Sequence, residues 1–447
     1  MRATIGTVLL ILLASPLTAQ PPETVPETET EIAPGPVPET VPESEPEPVP
    51  VPETAPAPAP APAAETRPEP EVRFTAEPGR GFTLRVGDAF SANLQPRIQL
   101  RYALHVTDDD GDADRSPELA HEIQIRTLRL WFRGHVLDPD VRYGIQLALG
   151  ANDFEAGNAS PVFDAYVDVT ELRDLSFRIG QFFVPFDRAR TIREFALQSV
   201  DRAEAIRELT LDRDMGLAIY SDDLFGLGGR LAYQLGLFGG DGRNRFGGRE
   251  LGLLYTARAM VRPFGSFDDD REGDTARTAE PRLAIGAAFA FNHQTDRPRS
   301  TTGAPYDGGT FDYLHFASDL VFKWRGFYLL AEIVWRQATL PSRNVIFPDG
   351  TAGTIFARDG WGAVIQSSMM LVEGLEVWAR YEQSEAIGPT DPAWITQAAS
   401  RGRGIAAGVN YYFNSHFFKL QLDWAHSFGD DLGRGPHDVR LQLDASF

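Results

Sequence analysis

The 447-residue chain contains no cysteine. Disulfide frameworks, thiolate metal centres and cysteine nucleophiles are therefore excluded. Lysine is nearly absent, with Lys323 and Lys419 the two examples. No basic run stands out and the formal net charge is −21. That balance argues against a nucleic-acid partner held by bulk charge. No G-x-S-x-G, H-E-x-x-H or phosphate-cradling glycine loop occurs, and the eight histidines lack metal-ligand spacing. Neither catalysis nor a metal or cofactor is expected. Nowhere do about eighteen apolar residues follow one another, so no helix is expected to cross a bilayer.

What is present begins with "MRATIGTVLLILLASPLTAQ". Arg2, an apolar run from Val8 to Leu13 and small residues ending at Ala19 predict a secretory signal peptide over residues 1–19. Residues 20–73 then change composition. "VPET" recurs at Val25, Val37 and Val51, and "APAPAPAPAA" follows. Between Pro21 and Val72, twelve glutamates stand against Arg67, a net of −11. Proline removes amide donors and like charges repel, so this arm is expected to be a disordered, polyproline-like periplasmic segment. At ~3.1 Å per residue it reaches on the order of 150 Å, long enough to tether to the cell wall. A solvated tail without a specific partner is the simpler reading.

Residues 74–447 are dominated by period-two alternation. Sixteen segments show it: 97–106, 124–136, 141–150, 161–171, 175–184, 213–222, 229–238, 250–262, 281–292, 312–324, 327–337, 360–371, 375–384, 403–413, 417–428 and 438–447. Long connections alternate with tight ones such as "LDPD" at Leu137–Asp140 and "NSH" at Asn414–His416. This predicts an all-β fold, a transmembrane antiparallel up-and-down barrel of about sixteen strands, with long outer loops and short periplasmic turns. One connection breaks the rule. Residues 263–280, "PFGSFDDDREGDTARTAE", fall where a short turn is expected.

Parity assigns the faces. In "RIQLRYALHV", Ile98, Leu100, Tyr102, Leu104 and Val106 oppose Arg97, Gln99, Arg101 and His105. Leu128, Leu130 and Phe132 oppose Arg129, Trp131, Arg133 and His135. An arginine facing mid-bilayer costs about 2–4 kcal/mol, so the arginine face is the lumen face. The pore-lining candidates are Arg97, Arg101, Arg129, Arg133, Arg142, Arg178, Arg258, Arg380, Lys419 and Arg440. Asp164 and Asp168, opposed by Phe163, Ala165, Val167 and Val169, bring acids to the same face. Such pairs either select ions or form a salt-bridge lattice that stiffens the wall. His105 and His135 are read as neutral wall histidines that share the lumen. In the third long loop, from Pro185, the constriction candidates are Arg188, Arg190, Arg193, Arg202 and Arg207, and Arg193–Leu209 is compatible with a brief helix. "TDDDGDADR" at Thr107–Arg115 reads as a solvated outer loop, with weak divalent-ion binding or lipopolysaccharide bridging as the sharper alternative.

Several motifs carry a resemblance. "IRTLRLWFRGHVLDPDVRYGIQLALG", "DAYVDVTELRDLSFRIGQFFVPF", "RDMGLAIY" and "YQLGLFGGDG", between Ile125 and Gly242, resemble the phosphate-selective porin O and P family. Phe183 stands where many members carry a lysine. The resemblance implies a sixteen-stranded outer-membrane channel, often trimeric, that passes small anions such as phosphate. A final aromatic such as Phe447 is the signal that barrel-assembly machinery reads in such proteins. The expected function is thus passive anion diffusion through a barrel in contact with outer-membrane lipid and lipopolysaccharide. The alternatives are a weakly selective general porin, or a barrel that anchors a structural tether.

Overall fold

The computed structural model describes residues 71–107, 118–154, 160–245 and 252–447. The expected signal peptide, nearly all of the arm and most of the acidic Thr107–Arg115 loop lie outside the described residues. Sixteen strands form one closed antiparallel barrel. They are β3 (Phe90–Thr107), β4 (Glu118–Val136), β5 (Asp138–Ala148), β6 (Val162–Val169), β7 (Ser176–Phe183), β8 (Arg213–Ser221), β9 (Leu231–Phe238), β10 (Leu254–Val261), β11 (Arg282–Thr295), β12 (Phe311–Trp324), β13 (Phe327–Ala338), β16 (Gly360–Val372), β17 (Leu375–Ala386), β18 (Arg403–Asn414), β19 (Phe418–Phe428) and β20 (His437–Ser446). A short hairpin, β1 (Val72–Glu77) and β2 (Gly81–Val86), precedes them, and β14 (Ser342–Ile346) pairs with β15 (Ala352–Phe356) inside one long loop.

Closure follows from the final strand. β20 pairs with β3 from His437↔Val106 to Ser446↔Arg97. No barrel strand is left with an open edge, which is the condition for a sheet in hydrocarbon. Burial is inside out relative to a water-soluble protein. Leu100, Leu217, Ile285, Ile333, Leu422 and Leu441 are exposed on the outer face, whereas Gln99, Asp164, Asn410 and Lys419 are buried inside. The alternation in the sequence therefore separates an apolar belt from a polar lumen.

Several expectations change. β3 and β4 extend further than the alternation indicated, so part of the loop expected at 107–123 is strand. The hairpin β1–β2 was not foreseen, and its first residues overlap the expected arm. It has a structural reason. β20 ends opposite Arg97, and the Phe447 amide donates to the Pro96 carbonyl at 3.0 Å. Below that point the same edge of β3 pairs with β2, from Leu94↔Phe82 to Phe90↔Val86. The turn depends on Gly81, which has φ +87° and sits where a Cβ would lie 2.1 Å from the Leu94 carbonyl oxygen. Phe163 turns inward rather than outward, because the register slips by one between Gln146 and Leu147.

Candidate functional site

The third long loop leaves β7 at Val184 and returns to β8 at Arg213. Its base is tied by the Val184 amide donating to the Asp212 carbonyl at 3.1 Å. Two short helices break it, α1 (Arg188–Thr191) and α2 (Glu204–Leu209). Within Arg193–Leu209, where a brief helix was foreseen, α2 is the α-helical part and Glu194–Ala196 forms a single 3-10 turn. Asp187 caps α1 by accepting from the Arg190 amide at 3.1 Å, and it also accepts from Thr210 Oγ1 at 2.5 Å. Burial pushes the Asp187 carboxyl up to about 6 against those two partners.

The loop lies across the lumen and is pinned from wall to wall. Arg188 donates to Asp319 of β12 at 2.5 Å, and the Arg188 and Ala189 amides donate to Glu332 of β13 at 3.0 and 2.9 Å. The Val200 amide donates to Asp423 of β19 at 3.1 Å, and Asn410 of β18 donates to the Gln198 carbonyl at 3.0 Å. On the facing wall Glu194 pairs with Arg129 at 2.9 Å, and Asp201 pairs with Arg101 and Arg440, each at 2.9 Å. Burial alone would raise the Glu194 and Asp201 carboxyls. Arg129 and Arg202 around the first, and Arg101, Arg440 and Arg126 around the second, hold both well below the carboxylate range instead. Burial, and then the neighbouring Arg190, lower the Arg202 guanidinium to about 10.

The predicted basic residues fall into distinct groups. Arg129, Arg188, Arg258 and Lys419 are buried behind carboxylates: Arg129 with Asp153 and Glu194, Arg188 and Arg258 with Asp319, Lys419 with Asp444 at 3.4 Å. Arg178 pairs with Asp168 at 2.6 Å and Arg190 with Asp212 at 2.6 Å. Arg142 lies at the tight-turn rim near Asp140, and the exposed Arg207 pairs with Glu204 at 2.6 Å. Arg101, Arg190, Arg202, Arg207, Arg380 and Arg440 line a cavity of about 490 Å³ on the long-loop side of the third loop. Two further arginines that sequence reasoning did not single out, Arg126 and Arg401, line it too. Eight arginines against five acids give that lining a net formal charge of +3.

A second group gathers around Trp131. The guanidinium carbons of Arg193, Arg133 and Arg97 lie 4.0, 4.8 and 5.9 Å from its ring, and Arg97 is also 4.8 Å from the Phe195 ring. Arg193 is paired with Asp164 at 3.1 Å. Arg97 and Arg133 instead reach only neutral side chains, Gln95 at 2.9 Å and Asn93 at 3.2 Å. Among the described residues neither makes an ion pair. Among the same residues, Arg97 Nε and Trp131 Nε1 are buried donors without an acceptor. Such a group is chemically suited to an anion, since donors and positive charge are both unspent. The two histidines do not meet. His105 bonds Asp438 at 2.6 Å near the long loops, and His135 bonds Ser91 at 2.7 Å near the tight turns.

No family model matches the chain, and no curated protein matches it in sequence. Solved structures do. Salmonella typhi OmpF, solved in complex with daunomycin, is 15% identical with TM-score 0.51, over 80% of this chain and 98% of that one. The chain has that barrel fold. An anion-selective porin from Comamonas acidovorans is 12% identical with TM-score 0.49, over 80% of this chain and 100% of that one. The outer-membrane channel DcaP of Acinetobacter baumannii is 12% identical with TM-score 0.47, over 80% and 98%.

Proposed function

We propose that the protein is an outer-membrane porin, a passive diffusion channel that favours small anions, phosphate among them. The observation that carries this reading is the pair Arg97 and Arg133, lumen guanidinium groups beside Trp131 that make no ion pair among the described residues. A mobile anion supplies the acceptor that the wall withholds, and the low-dielectric surroundings lengthen the reach of the field. The net positive cavity above the third loop gathers anions at the entrance. Residues 1–19 direct export, residues 20–73 form a periplasmic arm, and the barrel of residues 74–447 assembles as a homotrimer with Phe447 as its assembly signal.

The test is single-channel recording in a planar bilayer under a KCl gradient, followed by added phosphate. An anion-selective reversal potential with phosphate block is the expected result. Cation preference without block overturns the anion assignment. A weakly selective pore is the second reading. It is favoured by the extent of internal neutralisation, since Arg129, Arg178, Arg258 and Arg440 all carry carboxylate partners.

A further inference from the structure

The connection between β10 and β11, anomalously long in the sequence, enters the lumen from the tight-turn end. Its contacts run along the barrel mouth. The Ser266 amide donates to the Gly228 carbonyl at 3.1 Å, in the turn between β8 and β9. Lys323 donates to the Arg271 carbonyl at 2.8 Å, and the Gly326 amide to Asp274 at 2.7 Å, at the turn between β12 and β13. His416 bonds the Glu272 carbonyl at 3.0 Å, at the turn between β18 and β19. The segment also grips the third loop from beneath. The Glu272 amide donates to the Ala196 carbonyl at 2.9 Å, the Gln198 amide donates to Glu272 at 2.7 Å, and Arg188 pairs with Asp269 at 3.2 Å.

Asp269, Glu272 and Asp274 are all buried. Each has partners: Arg262 and Arg188 for Asp269, Gln198 and Gln366 for Glu272, Thr278 and Gly326 for Asp274. Buried and satisfied carboxylates fix a segment in place, because undocking would strand their partners. The contacts cover the sector from the β8–β9 turn to the β18–β19 turn. They leave free the sector of β3, β4 and β5 that carries Arg97, Arg133 and Trp131. Arg271, half exposed, lies 5.6 Å from the Phe417 ring, and its acid neighbour Asp268 is an exposed residue at 3.5 Å.

We propose that residues 263–280 form a fixed inner constriction that sets the solute size limit and confines passage to the arginine sector, with Arg271 at its edge as a specificity-determining cation. The inference rests on the channel reading above. The experiment compares wild-type protein with two variants in planar bilayers. In the first, Ser266–Ala279 is replaced by a two-residue Asn-Gly turn. Conductance is expected to rise about twofold or more as the wider barrel opens, and proteoliposomes should admit larger sugars. The second, R271C, uses the absence of cysteine elsewhere in the chain. A sulfonate-bearing methanethiosulfonate, forming a mixed disulfide with loss of sulfinate, should cut the anion current when added on the tight-turn side. Open wild-type channels whose conductance is unchanged by loop shortening, or whose R271C current is indifferent to the reagent, overturn the inference while the channel reading stands. Folded wild-type protein without conductance overturns both.

Discussion

Arg97 and Arg129 face each other across the β3–β4 ladder, with the same parity and the same side chain. Their electrostatics are opposite. Arg129 is sealed between Asp153 and Glu194, whereas Arg97 makes no ion pair among the described residues. Two predictions belong at this scale. R97Q combined with R133Q should lower the anion-to-cation permeability ratio severalfold in reversal-potential measurements. R73Q, at an exposed residue of the first hairpin already paired with Glu71, should leave the ratio unchanged. R129A should act on stability instead, since it strands two acids: a cost of about 3–5 kcal/mol is expected in equilibrium denaturation.

The sign of the pH response also follows from single residues. Glu194 and Asp212 are held below the carboxylate range, by Arg129 and Arg202 for the first and Arg190 and Arg213 for the second, against the opposing effect of burial. A depressed carboxylate stabilises the folded loop above its unfolded value of about 4, and that contribution is lost as pH falls through the folded value. Asp187 acts in the opposite sense. Its carboxyl, raised to about 6, costs stability as pH rises towards that value. The expectation is a quiet channel at neutral pH and current flicker that begins only below about pH 4. Flicker that grows instead as pH is raised from about 4 to 6, and is constant above that, would show that Asp187 governs the loop.

At the scale of elements, the strands were readable in the sequence and the pieces between them were not. A strand announces itself by local alternation, and all sixteen barrel strands overlap segments with that pattern. The hairpin β1–β2 escaped notice because its strands are six residues each and its role is to complete the edge of β3 beyond the end of β20. Gly81 makes that role testable. G81V places a side chain against the Leu94 carbonyl in a left-handed backbone, so the hairpin should undock. Trypsin cleavage at Arg80 and Arg85, slow in the wild type, should become fast. The third loop was legible as an arginine-rich insertion. Its first helix α1 and its route were not, because the groups that pin it, such as Asp319, Glu332 and Asp423, lie more than a hundred residues further along the chain.

On the scale of the whole molecule, the barrel closes its own hydrogen-bond ladder and needs nothing before residue 71 to do so. Deleting residues 21–70 should therefore leave single-channel conductance and selectivity unaltered. A variant that folds but no longer conducts would show that the arm belongs to the channel, whereas an intact pore with a lost envelope phenotype would favour the tether reading.

By itself the sequence determined the architecture and the polarity of its faces. Period-two alternation is a short-range code, and once a strand has one polar and one apolar face, closure puts the first inside. The mixed charge of the lumen was visible for the same reason. Only the tertiary structure decided which charges remain unspent. Arg129 loses its free charge to Glu194, Arg258 to Asp319 and Arg440 to Asp423, while Arg97 and Arg133 keep theirs. Those outcomes depend on strand register and on two loops that enter the lumen from opposite ends. Neither follows from local pattern, because both are set by contacts between residues far apart in the chain.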